Sequence, residues 1–263
     1  MCRLFGMSAG SEPASATFWL LDAPDSLATQ SHREPDGTGL GWFDPGGMPR
    51  ISKQPIAAFQ DEEFARRARE VRSRTFAAHV RFATTGAHTP LNTHPFEQHG
   101  RLFAHNGVVK DLPALEAHLG VDMSLVKGDT DSERFFALIT REIDARDGDV
   151  AAGIEAACVW VAGNLEIVSI NFVLATPEEL WAFRYPQTDE LHLLERAPGT
   201  PMEHKSHLGS RVHVQEAVER PLVVVASEPM DEDPAWRAVA VGELIQITHT
   251  LEVKSGRILA DPA

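Results

Sequence analysis

Apolar residues in this chain recur in two rhythms, and each predicts a different element. Phe135, Leu138, Ile139 and Ile143 return every three or four residues, the spacing that gathers side chains on one face of a helix. They predict an α-helix from Asp131 to Ala145 whose stripe packs into a core. Further helices are predicted after Ser15, over Asp61 to Arg72, near Asp111 to Leu119 and from Asp149 to Val161. Shorter apolar runs read as strands: Cys2 to Ser8, Thr75 to Phe82, Arg101 to His105, Leu165 to Ala175, Leu180 to Arg184, Leu191 to Glu195, Leu222 to Ser227 and Leu244 to Thr248. Asp44-Pro45-Gly46-Gly47 is a turn between two more strands, so that region reads as a hairpin. A long polar loop follows the Thr75 to Phe82 strand and runs on to Pro95. Two sheets faced by helices is the simplest packing that buries all of these faces.

Composition narrows the class. A chain of 263 residues with 43% hydrophobic content can bury a sizeable core. We read one elaborated domain over 2–263, with the chemistry-bearing motifs in 2–147 and a C-terminal elaboration of the same sandwich in 148–263. No repeat and no low-complexity linker interrupts 150–221. A net charge of −14 argues against nucleic acid or an anionic membrane as partner, because phosphate binding needs clustered Lys and Arg. Cys158 sits in the apolar stretch from Ile154 to Val161 and reads as a buried thiol, leaving Cys2 without a disulfide partner. No signal peptide opens the sequence and no run of about 18 apolar residues could span a bilayer. A reducing, cytoplasmic setting is expected.

The chemistry begins at position 2. Once Met1 is trimmed, Cys2 carries a thiol and a free α-amine on one carbon skeleton, a nucleophile with its own base. The thiol titrates near pH ~8.5 and the amine near ~7.7 to 8.0, so the amine can carry the thiol's proton at neutral pH. Three downstream segments answer the remaining needs of amide cleavage. An oxyanion wants preorganised donors, which Asn106 and the Gly107 backbone can supply, although Asn-Gly is also a common turn dipeptide. Arg81, in His79-Val80-Arg81-Phe82-Ala83-Thr84-Thr85-Gly86, offers a planar fork for an α-carboxylate. Asp131, in Gly128-Asp129-Thr130-Asp131-Ser132-Glu133, offers an acceptor for an α-ammonium. Singly, Arg81 could be a surface residue at a strand end and Asp131 a helix N-cap. Together they would recognise a free glutamyl head.

With these motifs the sequence resembles the class II glutamine amidotransferases, N-terminal-nucleophile amidohydrolases; the resemblance is strong over roughly residues 2 to 147. It implies an α+β fold, a four-layer αββα sandwich with the nucleophile at the start of a central strand. It also implies that Cys2 is nucleophile and base, that Asn106 and Gly107 form the oxyanion hole, that Arg81 and Asp131 hold glutamine's carboxylate and ammonium, and that Thr84 and Thr85 line the pocket. Phe82 stands where many relatives have Trp or His, which points to altered pocket packing. The turn at Pro35-Asp36-Gly37-Thr38-Gly39 resembles the family's early Asp-Gly segment. Ala226-Ser227-Glu228-Pro229-Met230, with Trp236, resembles a late motif of the stand-alone members, which include the γ-glutamyl amidohydrolases of ergothioneine biosynthesis. Its role is either structural or pocket-shaping.

No phosphate-cradling Gly-rich loop and no acceptor-binding domain is legible. Ammonia therefore goes to a separate synthase subunit, or the enzyme simply hydrolyses glutamine or a γ-glutamyl amide. No cofactor and no metal are expected. His204-Lys205-Ser206-His207 with His213 lacks a carboxylate in a ligand pattern and reads as a polar loop. His88, His94 and His99 fall in the presumed active-site loops, and His105 is expected to support the oxyanion turn. The competing reading is a catalytically silent module holding a glutamyl ligand or a partner protein; an acylase for other amides fits the amino-acid clamp less well.

Overall fold

The structure, a computed structural model, describes residues 2–82, 87–198, 203–205, 211–213 and 220–261. The strands in chain order are β1 (Arg3–Ser8), β2 (Gly37–Phe43), β3 (Pro49–Gln54), β4 (Thr75–Arg81), β5 (Phe96–Gln98), β6 (Arg101–Val109), β7 (Ile167–Ala175), β8 (Leu180–Phe183), β9 (His192–Arg196), β10 (Glu203–Lys205), β11 (Arg211–His213), β12 (Leu222–Ala226), β13 (Arg237–Ala238), β14 (Glu243–Ile247) and β15 (Val253–Arg257). The helices are α1 (Leu27–Gln30), α2 (Glu62–Glu70), α3 (Leu112–Leu119), α4 (Asp131–Asp144) and α5 (Val150–Asn164). A π-helical turn, Phe18–Asp22, precedes α1 in the region predicted as one helix after Ser15.

Two antiparallel sheets carry the fold. One has the order β13-β9-β12-β1-β4-β2-β3, the other β15-β14-β8-β7-β6-β5, and β10 pairs with β11 alone. Alternation along each strand assigns the layers. On β1, Leu4 enters the core between the sheets, whereas Phe5 and Met7 face the layer built by the π-turn, α1 and α2, with Trp19, Leu20 and Phe64. On β6, Leu102 and Ala104 face the inter-sheet core, whereas Phe103 turns to α4 and stacks on Phe136 at 4.7 Å. The predicted stripe of Phe135, Leu138, Ile139 and Ile143 is fully buried against that second sheet, together with Cys158 of α5. The layers run helix, sheet, sheet, helix, the αββα sandwich of the α+β class.

Helix starts follow local capping chemistry. Asp61 caps α2 through Phe64 N–H, and Asp149 caps α5 through Ala152 N–H. Thr130, not Asp131, is the N-cap of α4: its Oγ1 accepts the Glu133 N–H while Glu133 Oε2 reaches back to Gly128 N–H. Asp131 is thereby released from capping and becomes the first helical residue.

The two Asx-Gly segments expected as turns are strands. Asn106-Gly107 lies inside β6, which continues to Val109 with a bulge between Val108 and Val109. Gly37-Thr38-Gly39 opens β2, and there glycine answers a close approach: a Cβ on Gly39 would sit 1.9 Å from the His94 carbonyl oxygen. The chain of Thr93–Pro95 thus lies on a bare strip of β2, held by Lys53, whose Nζ donates to the carbonyls of Thr93 at 2.7 Å and Pro95 at 3.1 Å. Burial pushes the Lys53 ammonium down to about 8.

Candidate active site

Strand parity brings the candidate residues to one edge of the sandwich. Leu4 faces the inter-sheet core, so Cys2, two residues earlier, points the same way. Ala77 of β4 does likewise, which carries His79 and Arg81 to that face; Ala104 of β6 carries Asn106 there. At this edge a cleft is lined by Cys2, Arg81, Phe82, His94, His105, Gly107, Thr130, Asp131 and Ser132. The structure therefore unites Cys2, Arg81, Gly107 and Asp131 around one space. Asn106 is buried beside it on β6 and is not part of the lining. Thr84 and Thr85 lie outside the described residues.

The sulfur of Cys2 sits 3.3 Å from the Phe82 nitrogen and accepts its N–H. Burial pushes the thiol above its ordinary range, opposed by that N–H and by the positive charges of the amino terminus and Arg81, while Glu34 adds to the upward push. The arrangement holds a neutral thiol that needs a base to fire. Arg81 ends β4, buried, with Gly37 of β2 opposite it. Asp131 is anchored by one oxygen, Oδ2, which accepts the Val109 N–H at 2.8 Å, tying the start of α4 to the end of β6.

Gly107 is demanded by packing: a Cβ there would lie 1.8 Å from the Ser169 carbonyl oxygen of β7. No other residue lets β6 and β7 approach so closely beside the cleft. Ser169 Oγ also donates to the Asn106 carbonyl at 3.2 Å, fixing the peptide that joins Asn106 to Gly107.

The histidines separate clearly. His105 is no turn residue; its Nδ1 pairs with Ser132 Oγ at 2.9 Å across to α4. The rings of His94 and His79 lie tilted at 42° with their centroids 4.2 Å apart, and among the described residues neither ring nitrogen of the buried His94 has a hydrogen-bond partner. Burial pushes His79 down to about 3, and His94 well below its usual range, so both are neutral; His105 is pushed down by the same cause. His99 instead pairs with Asp144 at 2.6 Å, in the open, and His88 is exposed. Sequence reasoning missed the His79–His94 pair, because both residues read as parts of neighbouring motifs and only the fold brings their rings together. His204 and His213 fall on β10 and β11, whose side chains are not described, and Ser206 and His207 lie outside the described residues. Among the described residues no group of three metal-ligating side chains is found. No described helix is long and apolar enough to cross a membrane.

A cysteine thiol, a glycine beside it, a buried arginine and an anchored carboxylate in one cleft agree with a match of residues 1–257 to the family described as glutamine amidotransferases class-II. The chain belongs to that family. It is thus an amidohydrolase of the class II glutamine amidotransferases. It is 30% identical over 261 residues to the gamma-glutamyl-hercynylcysteine sulfoxide hydrolase of Mycobacterium tuberculosis, covering 95% of this chain and 94% of that protein. It is 27% identical over 248 residues to an uncharacterised protein of Methanocaldococcus jannaschii, covering 90% of this chain and 68% of that one. Its fold is that of the glutamine phosphoribosylpyrophosphate amidotransferase of B. subtilis, with a TM-score of 0.69 at 20% identity over 99% of this chain. The chain spans about half the length of that structure, 50%.

Proposed function

We propose that this amidotransferase cleaves the side-chain amide of glutamine or of a γ-glutamyl amide through a γ-glutamyl thioester on Cys2. The observation that carries the reading is the convergence of Cys2, Arg81, Gly107 and Asp131 on one cleft. After Met1 is removed, the Cys2 α-amine takes the thiol proton and the thiolate attacks the γ-carbonyl. Asn106 Nδ2 and the Gly107 N–H receive the oxyanion. Collapse breaks the C–N bond, the proton passes to the departing ammonia or amine, and the thioester remains. Water then adds to the thioester, returns a proton to the thiolate and releases glutamate. Arg81 holds the α-carboxylate and Asp131 the α-ammonium through the oxygen that Val109 leaves free.

The near full-length similarity to a hydrolase of a γ-glutamyl compound supports a γ-glutamyl amide with an organic leaving group and a single domain over 2–263. Simple hydrolysis is then complete without a synthase subunit. Two cysteines free of disulfide support a reducing compartment, the cytoplasm.

The test uses protein shown by mass spectrometry to lack Met1, with glutamate release followed from glutamine and from γ-glutamyl amides. Preference for the larger amides supports a dedicated hydrolase, and fast glutamine cleavage supports an ammonia donor. Silence on both, or turnover retained by Cys2→Ala, overturns the reading in favour of a glutamyl-binding module.

A further inference from the structure

The late segment Ser227-Glu228-Pro229 meets the first residues of β1, 223 to 227 positions away in sequence. The β1–β12 register pairs Phe5 with Ala226, and one step further Leu4 meets Ser227. There the Ser227 N–H donates to the Leu4 carbonyl at 3.2 Å, and Ser227 Oγ accepts the Leu4 N–H at 2.9 Å. The side chain of Ser227 has replaced a ladder bond. Continuing the same register would set Cys2 opposite Pro229, which has no N–H to give. The carbonyl of Cys2 therefore loses its ladder donor on this side.

Arg3 supplies one. Its Nη1 donates to the Cys2 carbonyl at 3.3 Å, while the guanidinium is gripped from two directions: Nη1 lies 3.3 Å from Glu34 Oε1 and Nε lies 2.8 Å from Glu228 Oε1. Arg3 and Glu34 are largely withdrawn from solvent, with side chains 16% and 4% exposed. Glu228 is held in turn by Arg33 at 2.5 Å. A fork with several fixed donors is suited to gripping two carboxylates and a carbonyl together. A lysine has one nitrogen for all three.

We propose that Arg3, clamped by Glu34 and Glu228, is a positioning residue that sets the Cys2 peptide plane and thereby aims the nucleophile, and that Ser227-Glu228-Pro229 is the segment that completes this device. The inference rests on Cys2 being the nucleophile of the reaction proposed above. It also explains the late motif physically, since serine ends the ladder, proline empties the next position, and glutamate installs the arginine that fills it.

The test compares Met1-free wild type with Arg3→Met, Arg3→Lys and Glu228→Gln on glutamine and γ-glutamyl amides. A nucleophile misplaced by a fraction of an ångström costs kcat, so Arg3→Met is expected to lower kcat about 10- to 100-fold with KM within about twofold of wild type. Arg3→Lys recovers part of the loss, and Glu228→Gln lowers kcat less than Arg3→Met. Labelling of Cys2 by iodoacetamide, read by mass, reports the thiol's placement without substrate. It is expected to speed up several-fold in Arg3→Met as the sulfur leaves its shelter. If Arg3→Met does not fold, Glu228→Gln, which keeps the Arg3–Glu34 pair, carries both readouts. Unchanged kcat and unchanged labelling overturn the inference, as does a rise in KM at constant kcat, which would seat Arg3 on the substrate. Wild type silent on every γ-glutamyl amide, but with labelling still sensitive to Arg3, would sink the functional reading and leave the positioning role standing.

Discussion

The Phe82 amide and the Cys2 sulfur lie 3.3 Å apart, the backbone immediately after Arg81 donating to the thiol. This contact joins two candidate site segments that lie about eighty residues apart in the chain. In the proposed reaction the end of β4 carries Arg81 for the substrate carboxylate and, one residue on, a donor that steadies the thiolate once it forms. On the proposed reaction, substrate binding and nucleophile activation share one strand end.

Replacing Cys2 by alanine should end turnover without harming the fold. The Cys2 side chain belongs to none of the three apolar cores, so its loss leaves no core cavity. A fall in kcat of at least ~10³-fold is expected for loss of a covalent nucleophile, with the thermal midpoint within a few degrees of wild type. Glutamate release and a melting curve on the same Met1-free preparation check both halves.

Much of this site was legible from residue types alone, because Cys2, Arg81 and Asp131 answer separate chemical needs and strand parity then brings them together. Asn106-Gly107 and Gly37-Thr38-Gly39 misled, since a glycine chosen for a close approach of two backbones looks identical in sequence to one chosen for a turn. The edge strands β5 and β15 were missed; Val253–Arg257 is mostly solvent-facing and carries no apolar alternation. The Arg3 clamp and the His79–His94 contact depend on partners that no local pattern connects.

Gly107→Ala tests the first of these lessons. Its new Cβ would fall 1.8 Å from the Ser169 carbonyl oxygen and 2.9 Å from His105 Nε2, contacts that only a shift of β6 against β7 relieves. Destabilisation near the upper end of roughly 1–3 kcal/mol is expected, with activity lost because the proposed oxyanion donors move. Gly163→Ala on α5, where a Cβ meets nothing within 4 Å, should instead be neutral or stabilising by up to ~1 kcal/mol. Urea midpoints that do not separate the two variants would refute the packing argument.

The buried histidines predict acid sensitivity. His79 is pushed down to about 3 by burial, against an unfolded value near ~6.5, so between these pH values the unfolded chain binds the extra proton. Stability from this group is fully present above pH ~6.5 and is lost as pH falls toward 3, at up to about 1.4 kcal/mol per pH unit. His94 and His105, lowered by the same burial, act in the same direction. Urea denaturation of wild type and His79→Gln between pH 7.5 and 5 measures it. The variant's stability should fall less steeply by about one proton's worth of slope, and parallel curves would show that His79 is not held neutral.

Arg196 makes the same kind of demand on the C-terminal half. It is buried, pairs with Asp233 at 3.0 Å and Asp231 at 3.5 Å, and lies over the Trp19 ring at 5.6 Å; Trp236 Nε1 donates to Asp231 at 2.8 Å. Removing the cation leaves two carboxylates facing each other with little water, so Arg196→Met should cost about 3–5 kcal/mol. The same loop supplies Glu228 to Arg3, which gives the substitution a second consequence. Loosening Asp231 and Asp233 should also lower kcat, and more than the exposed-surface change Arg66→Ala on α2 does. A variant that loses stability yet keeps wild-type kcat below its melting transition would mean that the loop's anchor and its grip on Arg3 are independent.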